Sequence, residues 1–178
     1  MLPKLTFGST CFGLIGLRPH LMTDVNDLVL SANNAEIVKY ALDSFPNPYT
    51  VSDAQDYLIL IMARDPRPHF AITASDKLIG GLGFERGVDV ERYSSVITYW
   101  LGRQYWGHGI ATMVVNGVCD YAFEHTDIVR LSARVFDGNS ASERILEKCG
   151  FVKEAILRKS IFKNGTFMDG HLYAKIKE

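Results

Sequence analysis

The stretch from Ser95 to Glu124 constrains the fold more than any other part of this chain. Ser95-Val96-Ile97-Thr98-Tyr99-Trp100-Leu101 is rich in β-branched and aromatic residues and reads as a central strand with both faces largely apolar. It breaks at Gly102 and passes through Arg103-Gln104-Tyr105-Trp106-Gly107-His108-Gly109. Apolar or small residues then recur at positions 110, 113, 114, 117, 118, 121 and 122, the spacing of an amphipathic helix. A strand that turns through glycines into a helix aims several backbone N–H groups, and the positive end of the helix dipole, at one point. That is an anion site, and Gly107 and Gly109 would let a phosphate approach without a Cβ in the way. A glycine pair also serves any tight turn, so the rest of the chain has to decide.

At 178 residues the chain reads as a single domain, 1–178, with length enough for a full core. Nineteen basic residues against twenty acidic ones leave a formal charge of −1, which argues against nucleic acid as the main ligand. Any anion must then be held by local geometry. Cys11, Cys119 and Cys149 are widely spaced, with no C-x-x-C and no paired histidines, so they read as reduced thiols in a cytoplasmic protein and no metal site is expected. The apolar run from Leu2 to Leu17 is interrupted by Lys4, Thr6, Gly8, Ser9 and Thr10 and does not read as a leader, and no membrane span is expected.

Taken in order, a first strand is expected over Cys11 to Arg18, ending at Pro19. Asp24 would cap a helix carrying Val25, Leu28 and Val29, and a second helical patch runs through Ile37, Val38, Ala41 and Leu42. Phe45-Pro46-Asn47-Pro48-Tyr49 must be a loop. Ser52 or Asp53 would open another helix, which stops before Asp65-Pro66-Arg67-Pro68. A hairpin follows, His69 to Ala74 and Leu78 to Phe84, with its turn at Ser75-Asp76-Lys77. Beyond the long helix, Val129 to Val135 is a strand. Ser140 with Glu143 has capping-box spacing for a helix that ends at Gly150. Phe151 to Phe162 and Thr166 to Ile176 close the chain as a hairpin around Asn164-Gly165. The fold class is α/β (α+β): a mixed, mostly antiparallel sheet of about seven strands flanked by helices.

Local matches in consistent order run from Trp100 to Phe151. They are Tyr99-Trp100-Leu101 leading into Tyr105-Trp106-Gly107-His108-Gly109-Ile110-Ala111-Thr112, then Asn139-x-x-Ser142, then Leu146-Glu147-Lys148-Cys149-Gly150-Phe151 followed by Glu154. Asn47-Pro48-Tyr49-Thr50, Leu78-Ile79-Gly80-Gly81, Asp169 and Tyr173 add weaker support. On these residues the chain resembles the GNAT superfamily of N-acetyltransferases, and within it the RimJ/RimL-like branch that acetylates protein N-termini. The resemblance implies acetyl-CoA as co-substrate. Its pyrophosphate would lie on Trp106, Gly107, His108, Gly109, Ile110, Ala111 and Thr112, and its pantetheine arm along Trp100 and Leu101. The family signature Q/R-x-x-G-x-G/A fits by letter as Gln104-x-x-Gly107-x-Gly109. Trp106-x-x-Gly109-x-Ala111 fits the distance from the strand better and is preferred, because backbone amides do the binding.

The resemblance also implies that Asn139 hydrogen-bonds the pantetheine arm and that Ser142 is the general acid near the sulfur, although a helix cap explains the same residues. The tyrosine that many members use one turn later is Leu146 here, and the glutamate common before the aromatic pair is Val96. The candidate bases are Glu85 and Asp169, for each of which a surface or structural role is the stronger reading. Direct transfer to an amine depends chiefly on positioning and requires no metal. The expected acceptor is a primary amine, a protein N-terminus or a small molecule such as a polyamine, amino acid or amino-bearing antibiotic. A silent CoA-binding module is the competing reading. Monomer and homodimer stay open.

Overall fold

The computed structural model describes residues 3–64 and 69–178. The expected break at Asp65 to Pro68 lies outside them. An eight-stranded sheet has the order β1-β2-β3-β4-β5-β6-β8-β7. The strands are β1 (Leu5–Thr10), β2 (Gly13–Pro19), β3 (His69–Ala74), β4 (Lys77–Arg86), β5 (Ser94–Leu101), β6 (Arg130–Phe136), β7 (Val152–Lys163) and β8 (Thr166–Ile176). The helices are α1 (Val25–Ala32), α2 (Ala35–Val38), α3 (Val51–Met62), α4 (Ile110–His125) and α5 (Ser140–Lys148). The β5–β6 pair is parallel, and the pairs β1–β2, β2–β3, β3–β4, β6–β8 and β7–β8 are antiparallel. Among the described residues no helix is long and apolar enough to cross a membrane.

The strand missed from sequence is β1, which raises the expected seven to eight. Its Leu5 and Phe7 alternate with Thr6, Gly8 and Ser9, so it carries little apolar signal, and it lies at a sheet edge, where little is needed. Ser75 and Asp76 have φ of 47° and 65°, and Asn164 and Gly165 have 51° and 77°, so both hairpins close on left-handed pairs as their sequences suggest. Two helix starts differ from expectation. Thr50, rather than Ser52 or Asp53, caps α3, with Asp53 returning the bond to the Thr50 N–H. Asn139, rather than Ser140, caps α5. Asp24 precedes α1 as expected but makes no side-chain cap; its carboxylate takes a two-pronged bond from Arg18 at 2.7 and 2.8 Å. The second helical patch is the four-residue α2, stopping well short of Leu42.

Two compact units divide the chain, the boundary falling inside β5 and α4. In the first, which spans 1–84 and 99–114, Leu28, Ala32, Tyr49, Ala54, Leu58, Ile61, Ala71 and Leu78 form a buried cluster with Trp100 packed on it. In the second, which spans 85–98 and 115–178, β6 buries Leu131, Ala133 and Val135 and leaves Arg134 exposed. Val118, Cys119, Ala122, Leu146, Cys149, Phe151 and Tyr173 are buried in the same unit. Burial pushes the Cys119 thiol up to about 12 and raises that of Cys149, and no disulfide forms among the described residues.

Central β5 is not apolar on both faces. Val96 is 45% exposed and Thr98 is exposed, while Ser95 and Ile97 are buried. The β-branched residues that announced a buried strand suit a one-sided strand equally well.

Candidate active site

The site is built outward from the end of β5. On the neighbouring β4, Gly80 and Gly81 allow that end to lie close. A Cβ on Gly80 would stand 2.3 Å from the Trp100 carbonyl oxygen, and one on Gly81 would stand 2.5 Å from the Trp100 indole nitrogen. The Trp100 ring packs edge-on against Phe45 with centroids 5.7 Å apart. The Gly102 N–H donates to the Ile79 carbonyl at 2.8 Å, so β5 is held to β4 up to the point where the chain turns away.

A short 3-10 turn at Arg103–Tyr105 follows, and then the glycine loop. Trp106 bends back: its indole N–H donates to the Leu101 carbonyl at 2.8 Å, and the Arg103 guanidinium lies 4.9 Å from its ring centre. The loop is therefore closed against the strand by a side chain. Gly107 and Gly109 have φ of 79° and 74°, and a Cβ on either would meet nothing within 4 Å. The protein's own packing does not demand glycine there. The left-handed backbone does, and the space beside it suits a bulky anion.

Ile110 begins α4 directly after Gly109, and the first intrahelical bond runs from the Met113 N–H to the Gly109 carbonyl at 3.0 Å. The N–H groups of Ile110 and Ala111 thus have no intrahelical acceptor and point out of the positive end of a 16-residue helix. Gly109, which both readings of the signature share, is the last residue before the helix. The sequence did not reveal a buttress on this loop. The β1–β2 turn sets Phe12 edge-on to Tyr105 and His108, at 5.0 and 4.9 Å, and Cys11 Sγ lies 4.0 Å from His108 Nδ1.

The remaining candidates lie in the second unit, as does the shared start of the parallel β5–β6 ladder. That ladder has register pairs at Ser94–Arg130, Ser95–Leu131 and Val96–Ser132, although both strands run on beyond it. Asn139 Oδ1 accepts the Ser142 N–H at 3.2 Å, so the cap is a real role for this pair. Ser142 is half-buried, and Leu146 is fully buried. Glu85 is exposed near the end of β4. Asp169 Oδ1 accepts the Lys159 N–H at 2.7 Å, which ties it to the backbone of β7.

Sequence reasoning overlooked a polar cluster beside Ser142. Glu143 Oε1 accepts from Lys153 Nζ at 2.8 Å, lies 2.6 Å from His171 Nδ1, and accepts the Tyr173 hydroxyl at 3.1 Å. Lys153 and His171 hold its carboxyl down to about 2. His171 and Tyr173 are two apart on β8 and so share a face, but their meeting with α5 is visible only once the strands are paired.

Comparison with known proteins agrees with this geometry. The sequence pattern of the acetyltransferase (GNAT) domain matches residues 15–152. A probable N-acetyltransferase of Bacillus subtilis, YjcK, is 34% identical over 167 residues, covering 90% of this chain and 92% of its own. The ribosomal-protein-serine acetyltransferase of Escherichia coli is 25% identical over 118 residues, covering 66% of this chain and 65% of its own. In fold, the chain superposes on Mycobacterium smegmatis RimJ, solved in complex with CoA-disulfide, with a TM-score of 0.84 at 23% identity, over 96% of this chain and 87% of that one. An eight-stranded mixed sheet whose central strand runs through a glycine loop into the long helix, together with the match over residues 15–152, makes this chain a member of the GNAT family of N-acetyltransferases.

Proposed function

We propose that the protein transfers the acetyl group of acetyl-CoA to the α-amine of a protein or peptide, with the whole chain acting as one catalytic domain. The observation that carries the reading is the glycine loop at the start of α4, joined without interruption to the end of β5. The outward N–H groups of Ile110 and Ala111, the left-handed Gly107 and Gly109, and the neighbouring His108 and Thr112 fit a pyrophosphate. The backbone of Trp100 and Leu101 offers strand-like pairing to a pantetheine arm, and Trp106 keeps that strand end in place. Relatives that act on ribosomal proteins support a protein acceptor.

Bound acetyl-CoA supplies the thioester carbonyl. The Leu101 N–H is the donor for its developing oxyanion. Ser142 delivers the proton to the departing thiolate, and Asn139 orients the arm that carries it. An α-amine with a pKa of about 8 is neutral often enough near pH 7 that a weak base suffices. That base is Glu85 or Asp169, the latter with one oxygen accepting the Lys159 N–H. Incubating the protein with acetyl-CoA and a panel of peptides, polyamines and amino acids, with products read by mass spectrometry, tests the reading. Acetylation of peptide α-amines is expected. CoA binding without transfer to any amine would overturn it in favour of a silent module.

A further inference from the structure

Two arginines on one face of β6 are treated differently by the fold. Arg130, Ser132 and Arg134 alternate with the buried Leu131, Ala133 and Val135. Arg130 is met by Glu154, which accepts from both prongs of its guanidinium. Among the described residues, Arg134 is met by neutral oxygens: its Nη2 donates to the Ser160 carbonyl and to Ser160 Oγ, each at 2.7 Å.

The surroundings of Arg134 are specialised to hold it there. Leu157 pairs with Gly170 and Ile161 with Met168, so Arg158, Lys159 and Ser160 stand against the single residue Asp169 as a bulge in β7. Lys159 sits at a φ of 50°, its N–H held by Asp169 Oδ1, and Ser160 Oγ donates to the Leu157 carbonyl at 2.7 Å. Arg134 reaches this bulge by lying across Gly170, where a Cβ would stand 2.7 Å from its Nε. A glycine, a left-handed lysine and a set of hydrogen bonds thus fix one guanidinium flat on the surface with its charge unmatched. Arg158 and Lys159 are exposed beside it and, among the described residues, carry no ion pair; the carboxylate of Asp169 is the acidic group at the bulge.

The face is open to a large ligand. Val96 pairs with Ser132, so Val96, Thr98, Ser132 and Arg134 share one side of the sheet, on which Val96, Thr98 and Arg134 are exposed. We propose that Arg134, with Arg158 and Lys159, is a docking surface for an acidic segment of a peptide acceptor. The proposal rests on the acetyl-transfer reading only for calling that peptide the acceptor. A planar fork held rigid recognises carboxylates with less ordering cost than a free side chain. The formal charge of −1 makes nucleic acid the poorer fit.

The test is fluorescence anisotropy of the full chain with an acidic octapeptide, free at its N-terminus and labelled at its C-terminus, and with its counterpart in which amides replace the carboxylates. The acidic peptide is expected to bind about tenfold more tightly, the sum of a few exposed charge contacts, with the preference fading at high salt. Arg134→Gln is expected to remove most of it. The exposed double change Arg158→Gln and Lys159→Gln, which leaves the Arg134 latch intact, is expected to remove part. Equal binding of the two peptides overturns the proposal, as does a full preference retained in both variants. Short single-stranded DNA binding as tightly as the acidic peptide also overturns it. Because binding is read without chemistry, a protein that docks the acidic peptide but acetylates nothing would refute the catalytic reading and leave this one standing.

Discussion

Replacing Gly80 with alanine isolates the close approach on which the site is built. The added methyl would stand 2.3 Å from the Trp100 carbonyl oxygen, 2.8 Å from Leu101 Cδ2 and 3.0 Å from Leu101 Cα. A carbon–oxygen contact settles near about 3.3 Å, so the end of β5 must retreat by roughly 1 Å. Overpacking of this kind costs about 1–3 kcal/mol. The upper end applies, because the obstacle is backbone held to β4 by the Gly102–Ile79 hydrogen bond. At this chain length each kcal/mol lowers Tm by about 2–4 °C, giving a fall of roughly 6–12 °C. The same displacement moves Trp100 and Leu101, so the KM for acetyl-CoA should rise as well. Gly107→Ala is the control: its methyl meets nothing within 4 Å, and the φ of 79° alone is strained. That strain is about 1–2 kcal/mol. Thermal denaturation of the two variants side by side decides the matter. A Gly80→Ala protein that melts within about 2 °C of the parent, or above Gly107→Ala, would refute the reasoning.

Two further predictions concern titration. His20 is 2% exposed, and burial pushes its pKa down to about 4 from 6.5. Unfolded chains then bind more protons than folded ones between those values, so stability is complete above about pH 6.5 and falls as pH drops toward 4, by about 2 kcal/mol from pH 7 to pH 5. His20→Phe should flatten that slope in urea denaturation, and an unchanged slope would refute the assignment. For Glu143 the carboxyl is held down to about 2, so its contribution is present above its ordinary value near 4.5 and is lost as pH falls through 2. Glu143→Gln should cost about 1–2 kcal/mol at pH 7 and almost nothing at pH 2, and an equal cost at both would rule out the ionic cluster.

The strand, glycine loop and helix were legible because a run of β-branched and aromatic residues gives way, across Gly102 to Gly109, to apolar positions spaced three and four apart. Helix caps were legible only to within a residue or two, since Thr50, Ser52 and Asp53, or Asn139 and Ser140, are all good caps and tertiary context chooses among them. Edge strand β1 was hidden by its threonines and glycine. The exposed face of β5 was hidden because valine and threonine suit a strand whether covered or not. What no sequence pattern announces is contact across distance. Glu143 meeting His171 and Tyr173, and Arg134 crossing Gly170 to Ser160, depend on strand register.

The central claim is that the start of α4 seats the pyrophosphate of acetyl-CoA. Isothermal titration of acetyl-CoA into the parent protein and into Gly109→Glu, a position where a side chain meets open space, tests it most directly. One-to-one binding to the parent is expected and, because a carboxylate would confront the phosphates at the helix N-terminus, loss of measurable binding in a variant that still unfolds cooperatively. Equal affinity in the two proteins would contradict it.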